Sequence, residues 1–156
     1  MTTDTAQTKP IIPVLASLYR PLSGLSYPLI RVVAGLFLMP HGSQKLFGWF
    51  GGYGLEGTGG YFAQLGLEPG VFWAALVGST EFFGGLLLVI GFLTRPAAAA
   101  VVVLMTVAVL KVHLANGFFI TSGGFEYAMM WGLIALAIVF RGGGALSVDW
   151  AIGREF

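Results

Sequence analysis

Six ionisable side chains, His41, Lys45, Glu81, Lys111, His113 and Glu126, lie inside or beside stretches that are otherwise apolar. Water hydrates such groups and lipid does not, so a chain that keeps them there uses them to fasten helices or to bind and move something polar. An imidazole near a carboxyl can exchange protons with an oxygen-bearing ligand, and a lysine can attract an anion. The chain has no cysteine, which removes thiolate metal ligation, disulfide exchange and covalent thiol chemistry. No metal is expected, because no span offers the Glu-x-x-His pairing of helical carboxylate metal sites. A bis-histidine haem is disfavoured by a difference in depth of about 6 Å between His41 and His113.

The elements that must position these groups are membrane helices. Of the 156 residues 56% are hydrophobic and only 10% charged, and the mean hydropathy is +0.85, too apolar for a soluble surface. A net charge of +1 gives no nucleic-acid signal. The pattern predicts an all-α integral membrane four-helix bundle, up-down-up-down, with spans Tyr27 to Phe47, Val71 to Leu93, Ala97 to Ala115 and Phe125 to Phe140. Ser26 is the expected cap of the first span. The fourth covers roughly 24 Å and must extend into its flanks or thin the bilayer. Insertion tolerates Glu81: thirteen Leu, Ile, Phe and Val residues in the second span, each worth about 0.3–0.6 kcal/mol, outweigh about 3 kcal/mol for one carboxylate.

Residues 1–26 read as a cytoplasmic or interfacial segment rather than a cleavable signal, since Pro10, Pro13 and Pro21, with Pro28 just beyond, interrupt the start of the chain and a basic leader is missing. Residues 27–140 form the bundle, and 141–156 an amphipathic cytoplasmic tail lying on the membrane surface. Lys9, Arg20, Arg95, Arg141 and Arg154 fall on one side, while the loops Gly48 to Gly70 and Asn116 to Gly124 contain no Lys or Arg. That asymmetry puts both termini in the cytoplasm of a multi-pass protein of the cell membrane. Gly52, Gly54 and Gly57 match G-x-G-x-x-G, but no strand precedes them, so a dinucleotide site is rejected. Thr58 to Leu65 is expected to form a short re-entrant or surface helix, and Phe47, Trp49, Phe50, Tyr53, Trp73, Phe118, Phe119 and Tyr127 an outer aromatic belt.

On this topology all six ionisable groups share the outer half of the membrane, and Arg31 alone lies near the inner face, where it is expected to snorkel to headgroups. Gly35, Leu38, Gly42 and Lys45 form one stripe, with His41 at its edge; Ala74, Gly78, Glu81 and Gly85 form another, whose small residues admit a close neighbour. His113 is expected to face the bundle and Lys111 the interface.

The run His41-Gly42-Ser43-Gln44-Lys45-Leu46-Phe47-Gly48, with Glu81 in a Gly-rich span, Lys111-Val112-His113 before Gly117-Phe118, and Gly124-Phe125-Glu126-Tyr127, resembles the DoxX family of small four-helix membrane proteins. Members resemble the membrane subunit of thiosulfate:quinone oxidoreductase, so the resemblance implies a quinone-interacting subunit of a membrane redox complex. Quinone is then the expected ligand, and a redox protein or complex the expected partner and electron donor, with lipid and a homo-oligomer as further associations.

Two accounts compete for each polar group. His41 and Glu81 are either an interhelical hydrogen bond that fixes packing or a proton-exchanging pair at a quinone head group, the catalytic assignment. Lys45 and Glu126 are either a rim salt bridge tying the first helix to the fourth or, with Lys111 and His113, part of the substrate pocket. A non-catalytic accessory or scaffold subunit is the alternative function; a transporter ranks below it, since no inverted repeat or broken helix pair is evident.

Overall fold

The computed structural model describes residues 9–156, which contain helices and connecting turns but no β-strand. The chain is already helical before the first span: α1 (Pro13–Leu22) continues through one 3₁₀ turn into α2 (Ser26–Phe47). Ser26 therefore does not cap a free helix end; its hydroxyl donates to the Ser23 carbonyl at 2.7 Å. After α2 come α3 (Gly54–Gln64), α4 (Gly70–Ile90), α5 (Thr94–Asn116), α6 (Glu126–Arg141) and a single-turn α7 (Val148–Ala151). Residues 1–8 of the expected interfacial segment lie outside the described part.

Three helical stretches are long and apolar enough to cross a membrane: Pro13–Phe47, Gly70–Ile90 and Thr94–Asn116. At 16 residues, α6 is the short one, as the sequence predicts. Leu36, Phe37, Val103, Leu133 and Phe140 are exposed on three of the helices, an apolar surface suited to lipid. The core is thin and small: Ala34, Ala97, Ala98, Ala128 and Ala135, filled out by Leu38, Leu88, Val101, Trp131 and Ile138.

Glycine sets how closely α2 meets α4. A Cβ on Gly35 would run into the Gly85 carbonyl and come within 2.8 Å of Val89 Cγ2, and one on Gly42 would stand 2.7 Å from the Gly78 carbonyl. With no side chain between them the backbones touch, which recovers dispersion energy that apolar area burial cannot supply in lipid. The outer helix α3 uses the same device, Gly59 and Gly70 meeting backbone to backbone, and buries Phe62 and Thr58 rather than floating free on the surface.

At one end of the bundle the start of α2, the end of α4, the start of α5 and the end of α6 are tied together. Arg31 is fully buried; Nη1 donates to the Leu88 carbonyl and, at 3.0 Å, to that of Val89, and Nη2 reaches the Leu146 carbonyl at 2.8 Å. This overturns the expectation that Arg31 snorkels outward. The residue sits four positions before Gly35 on the packed stripe of α2, so it points at α4 and satisfies the last carbonyls of that helix, where the dipole also favours a cation. Asp149 does the converse. Its carboxylate accepts from Leu93 N and Thr94 N, both at 3.0 Å, and from Thr94 Oγ1 at 2.7 Å, capping the start of α5 from a distant part of the chain. The tail is thus docked on the bundle through buried Ser147 and Asp149, and it leaves Leu146 and Trp150 exposed toward its surroundings. Tyr27 donates to the Gly142 carbonyl, and Arg95 donates to that of Val139 at 3.1 Å while pairing with Glu155.

Candidate functional site

Two of the six sequence-predicted groups are brought into contact. Lys45 Nζ lies 2.7 Å from Glu81 Oε2, and the Glu81 side chain is 8% exposed against 24% for Lys45. Helix direction explains the meeting. Cα–Cβ bonds tilt toward a helix's own N-terminus, so on antiparallel α2 and α4 the two side chains lean toward each other along the axis. The glycine contacts of Gly42 with Gly78 and Phe82, one turn away, bring the two backbones close enough for the pair to close.

The expected bridge from Lys45 to Glu126 does not form: Lys45 is taken by Glu81, on the helix that the glycine stripe draws nearest. Nor does a direct hydrogen bond join His41 to Glu81 among the described residues. His41 is exposed on the rim, one turn before Lys45, whose Nζ also approaches the His41 carbonyl at 3.4 Å. Pro40, immediately before, has no N–H to give the Leu36 carbonyl, so the α2 ladder is interrupted beside this histidine.

Glu81 occupies a π-helical turn, Thr80–Gly84, set within α4. A second π-helical turn, Val109–His113 in α5, carries both Lys111 and His113. Such turns are rare in helices and recur at functional sites, because the extra residue re-aims side chains at the cost of regular bonding. Lys111 is exposed and His113 half-buried. His113 Nδ1 stands 2.7 Å from the Gly123 carbonyl, which Asn116 Nδ2 also approaches at 3.2 Å. His113 thereby holds the α5–α6 loop. Glu126 begins α6, where its N–H donates to the Phe118 carbonyl at 2.9 Å, and its side chain lies at the head of a groove along that helix.

Around the ion pair the surface is aromatic. Phe47 packs edge-on to Phe82 with ring centroids 5.5 Å apart and against Trp49 at 4.9 Å. Phe82 directly follows Glu81 in the chain, and Phe47 stands two residues after Lys45. Among the described residues no group of three or more His, Asp or Glu side chains is arranged to hold a metal ion.

Sequence reasoning missed Arg31, Tyr27 and Asp149. For Arg31 the signal was available: extending the stripe Gly35, Leu38, Gly42, Lys45 back by one turn reaches it. Asp149 carried no such signal, because its partner is a turn more than fifty residues earlier.

The model of the DoxX family matches residues 27–114, from the start of α2 through the second π turn. The chain belongs to the DoxX family. Two curated relatives are similar over most of their length and carry no assigned activity. A Haemophilus influenzae protein described as uncharacterized is 33% identical over 77% of this chain and 85% of its own. An uncharacterized membrane protein of Mycobacterium tuberculosis is 30% identical over 81% of this chain and 80% of its own. No solved structure matches. Family membership, the Mycobacterium relative and the apolar helices together make this DoxX member a membrane protein.

Proposed function

We propose that this DoxX protein is the quinone-interacting membrane subunit of a redox complex, and that the Lys45–Glu81 pair with His41 at its rim handles the protons. The observation that carries the reading is the pair itself. A carboxylate held nearly out of reach of solvent beside a half-accessible ammonium is a costly arrangement, and intramembrane carboxylates are retained mainly for function. Reducing a quinone to a quinol takes two electrons and two protons. The electrons come from a partner redox protein; Glu81, Lys45 and His41 deliver or relay the protons and hydrogen-bond the carbonyl oxygens. Lys111, His113 and Glu126 shape the approach on the same side.

The topology belongs to this proposal: four spans, α2, α4, α5 and α6, run up-down-up-down in the cell membrane with both ends cytoplasmic. It is supported by the ties among the start of α2, the end of α4, the start of α5 and the end of α6. It is supported too by the concentration of Arg31, Arg95 and Arg141 at that end, against loops free of Lys and Arg at the other.

A second reading has its own observation. The ion pair is internally satisfied and joins α2 to α4, as a structural pin in an accessory or scaffold subunit would. Binding separates the two. Titrating the detergent-solubilised protein with a short-chain quinone should quench tryptophan fluorescence saturably, and Glu81→Gln should weaken that quenching. Co-purification of a stoichiometric partner without any quinone-dependent quenching supports the scaffold.

A further inference from the structure

Away from the ion pair, a groove of about 720 Å³ runs along α6 where it diverges from α2. Its floor and walls are Ile30, Met129, Met130, Leu133, Ile134 and Ala137, with Arg141 and Tyr27 at one end and Glu126 at the other. We propose that this groove is a binding site for one anionic phospholipid, its headgroup on Arg141 and an acyl chain laid toward Met130.

The lining favours a chain over a helix. Where helix backbones of α2, α3 and α4 touch they do so through glycine: Gly35 with Gly85, Gly42 with Gly78, Gly59 with Gly70. Most small residues of α6 are spent inward, Ala128 and Ala135 being buried and Gly132 turned to Met105, and only Ala137 faces the groove. Apart from Ala137 the side chains toward the groove are long, and methionine in particular moulds itself to an irregular apolar ligand. A helix seated there would find Ala137 alone as a close-approach position and no stripe of small residues.

Charge fixes the class and direction of the lipid. The guanidinium of Arg141 lies 5.4 Å from the centre of the Tyr27 ring and makes no ion pair among the described residues. It is held by the ring rather than neutralised, and so stays available to a phosphate. At about 1.5 Å per residue, Glu126 stands roughly 22 Å along the helix from Arg141, and it repels an anionic headgroup at that end. The groove therefore accepts an anionic lipid from the Arg141 side only.

Native mass spectrometry of the purified full chain tests this, with phosphatidylglycerol and phosphatidylcholine of identical acyl chains as probes. Phosphatidylglycerol should be retained in preference. Arg141→Gln should cut that retention about fivefold, the factor one basic residue contributes at an anionic surface. Arg20→Gln, the same charge change on α1, should leave it alone. Leu133→Trp, which fills the groove, should reduce retention of both lipids while the helical circular dichroism is unchanged. Equal retention of the two lipids, insensitivity to Arg141→Gln, displacement by inorganic phosphate with the acyl chain irrelevant, or a dimer lost on Leu133→Trp would each overturn the assignment.

Discussion

Arg31 and Lys45 stand on one stripe of α2, about 21 Å apart along the axis, and each fastens to α4. Arg31 takes the terminal carbonyls of Leu88 and Val89, and Lys45 the carboxylate of Glu81. Between them Gly35 and Gly42 let the two backbones touch. The first two large helices are thus clamped by a cation at each end and by glycine in the middle. The Lys45 clamp differs from the Arg31 clamp in kind: Arg31 is sealed among carbonyls, whereas the ammonium of Lys45 retains access to the surroundings.

Breaking the Lys45–Glu81 clamp on one side should cost more than removing it. Lys45→Met leaves Glu81 buried and unpaired, and should lower unfolding stability by about 3–5 kcal/mol. The double variant Lys45→Met with Glu81→Leu should recover most of that loss. Chemical or thermal unfolding in mild detergent, followed by circular dichroism, gives both numbers. A double variant no more stable than Lys45→Met would contradict the pairing.

The docked tail depends on Asp149. Asp149→Ala removes the acceptor of Leu93 N, Thr94 N and Thr94 Oγ1 together, leaving buried donors that cost about 1–3 kcal/mol each when unsatisfied. The expected outcome is faster hydrogen exchange and proteolysis over residues 145–156 with the α2–α4 contact intact. Unaltered exchange there would mean that other contacts hold the tail.

Glycine spacing should dominate over helix propensity. Gly42→Ala puts a methyl where Gly78 and the backbone of Phe82 already lie, forces α2 from α4 and so also stretches Lys45 from Glu81. Gly60→Ala, on α3 with open space around it, should be neutral or gain up to about 1 kcal/mol. Equal effects of the two substitutions would refute the close-contact account.

Much of the fold was legible because hydrophobic runs, proline and glycine punctuate it locally: α4, α5 and α6 begin and end within about three residues of the spans read from the chain. The stripes on α2 and α4 followed from helical periodicity, which also foretold that Glu81 would be approached closely. What periodicity could not give is the π turns at Thr80–Gly84 and Val109–His113, since either sequence reads equally well as regular helix. Partner choice was the other blind spot. Glu126 and Glu81 have the same charge, and depth along the spans put Glu126, not Glu81, at the rim with Lys45. The choice falls to Glu81 because glycine packing brings α4, rather than α6, against the outer part of α2. Asp149 and Tyr27 escaped notice for a related reason, as their partners are backbone groups far away in sequence.

Quinol formation by membranes carrying the protein together with its native partners, at matched abundance of wild type and Glu81→Gln, tests the central claim most directly. Glu81→Gln keeps the shape of the side chain and one acceptor for Lys45 but cannot exchange a proton. The account predicts turnover lower by about a hundredfold or more, the range of a lost acid–base group, with the protein still folded and inserted. Turnover equal to wild type would contradict it, and leave the Lys45–Glu81 pair as a fastening between two helices.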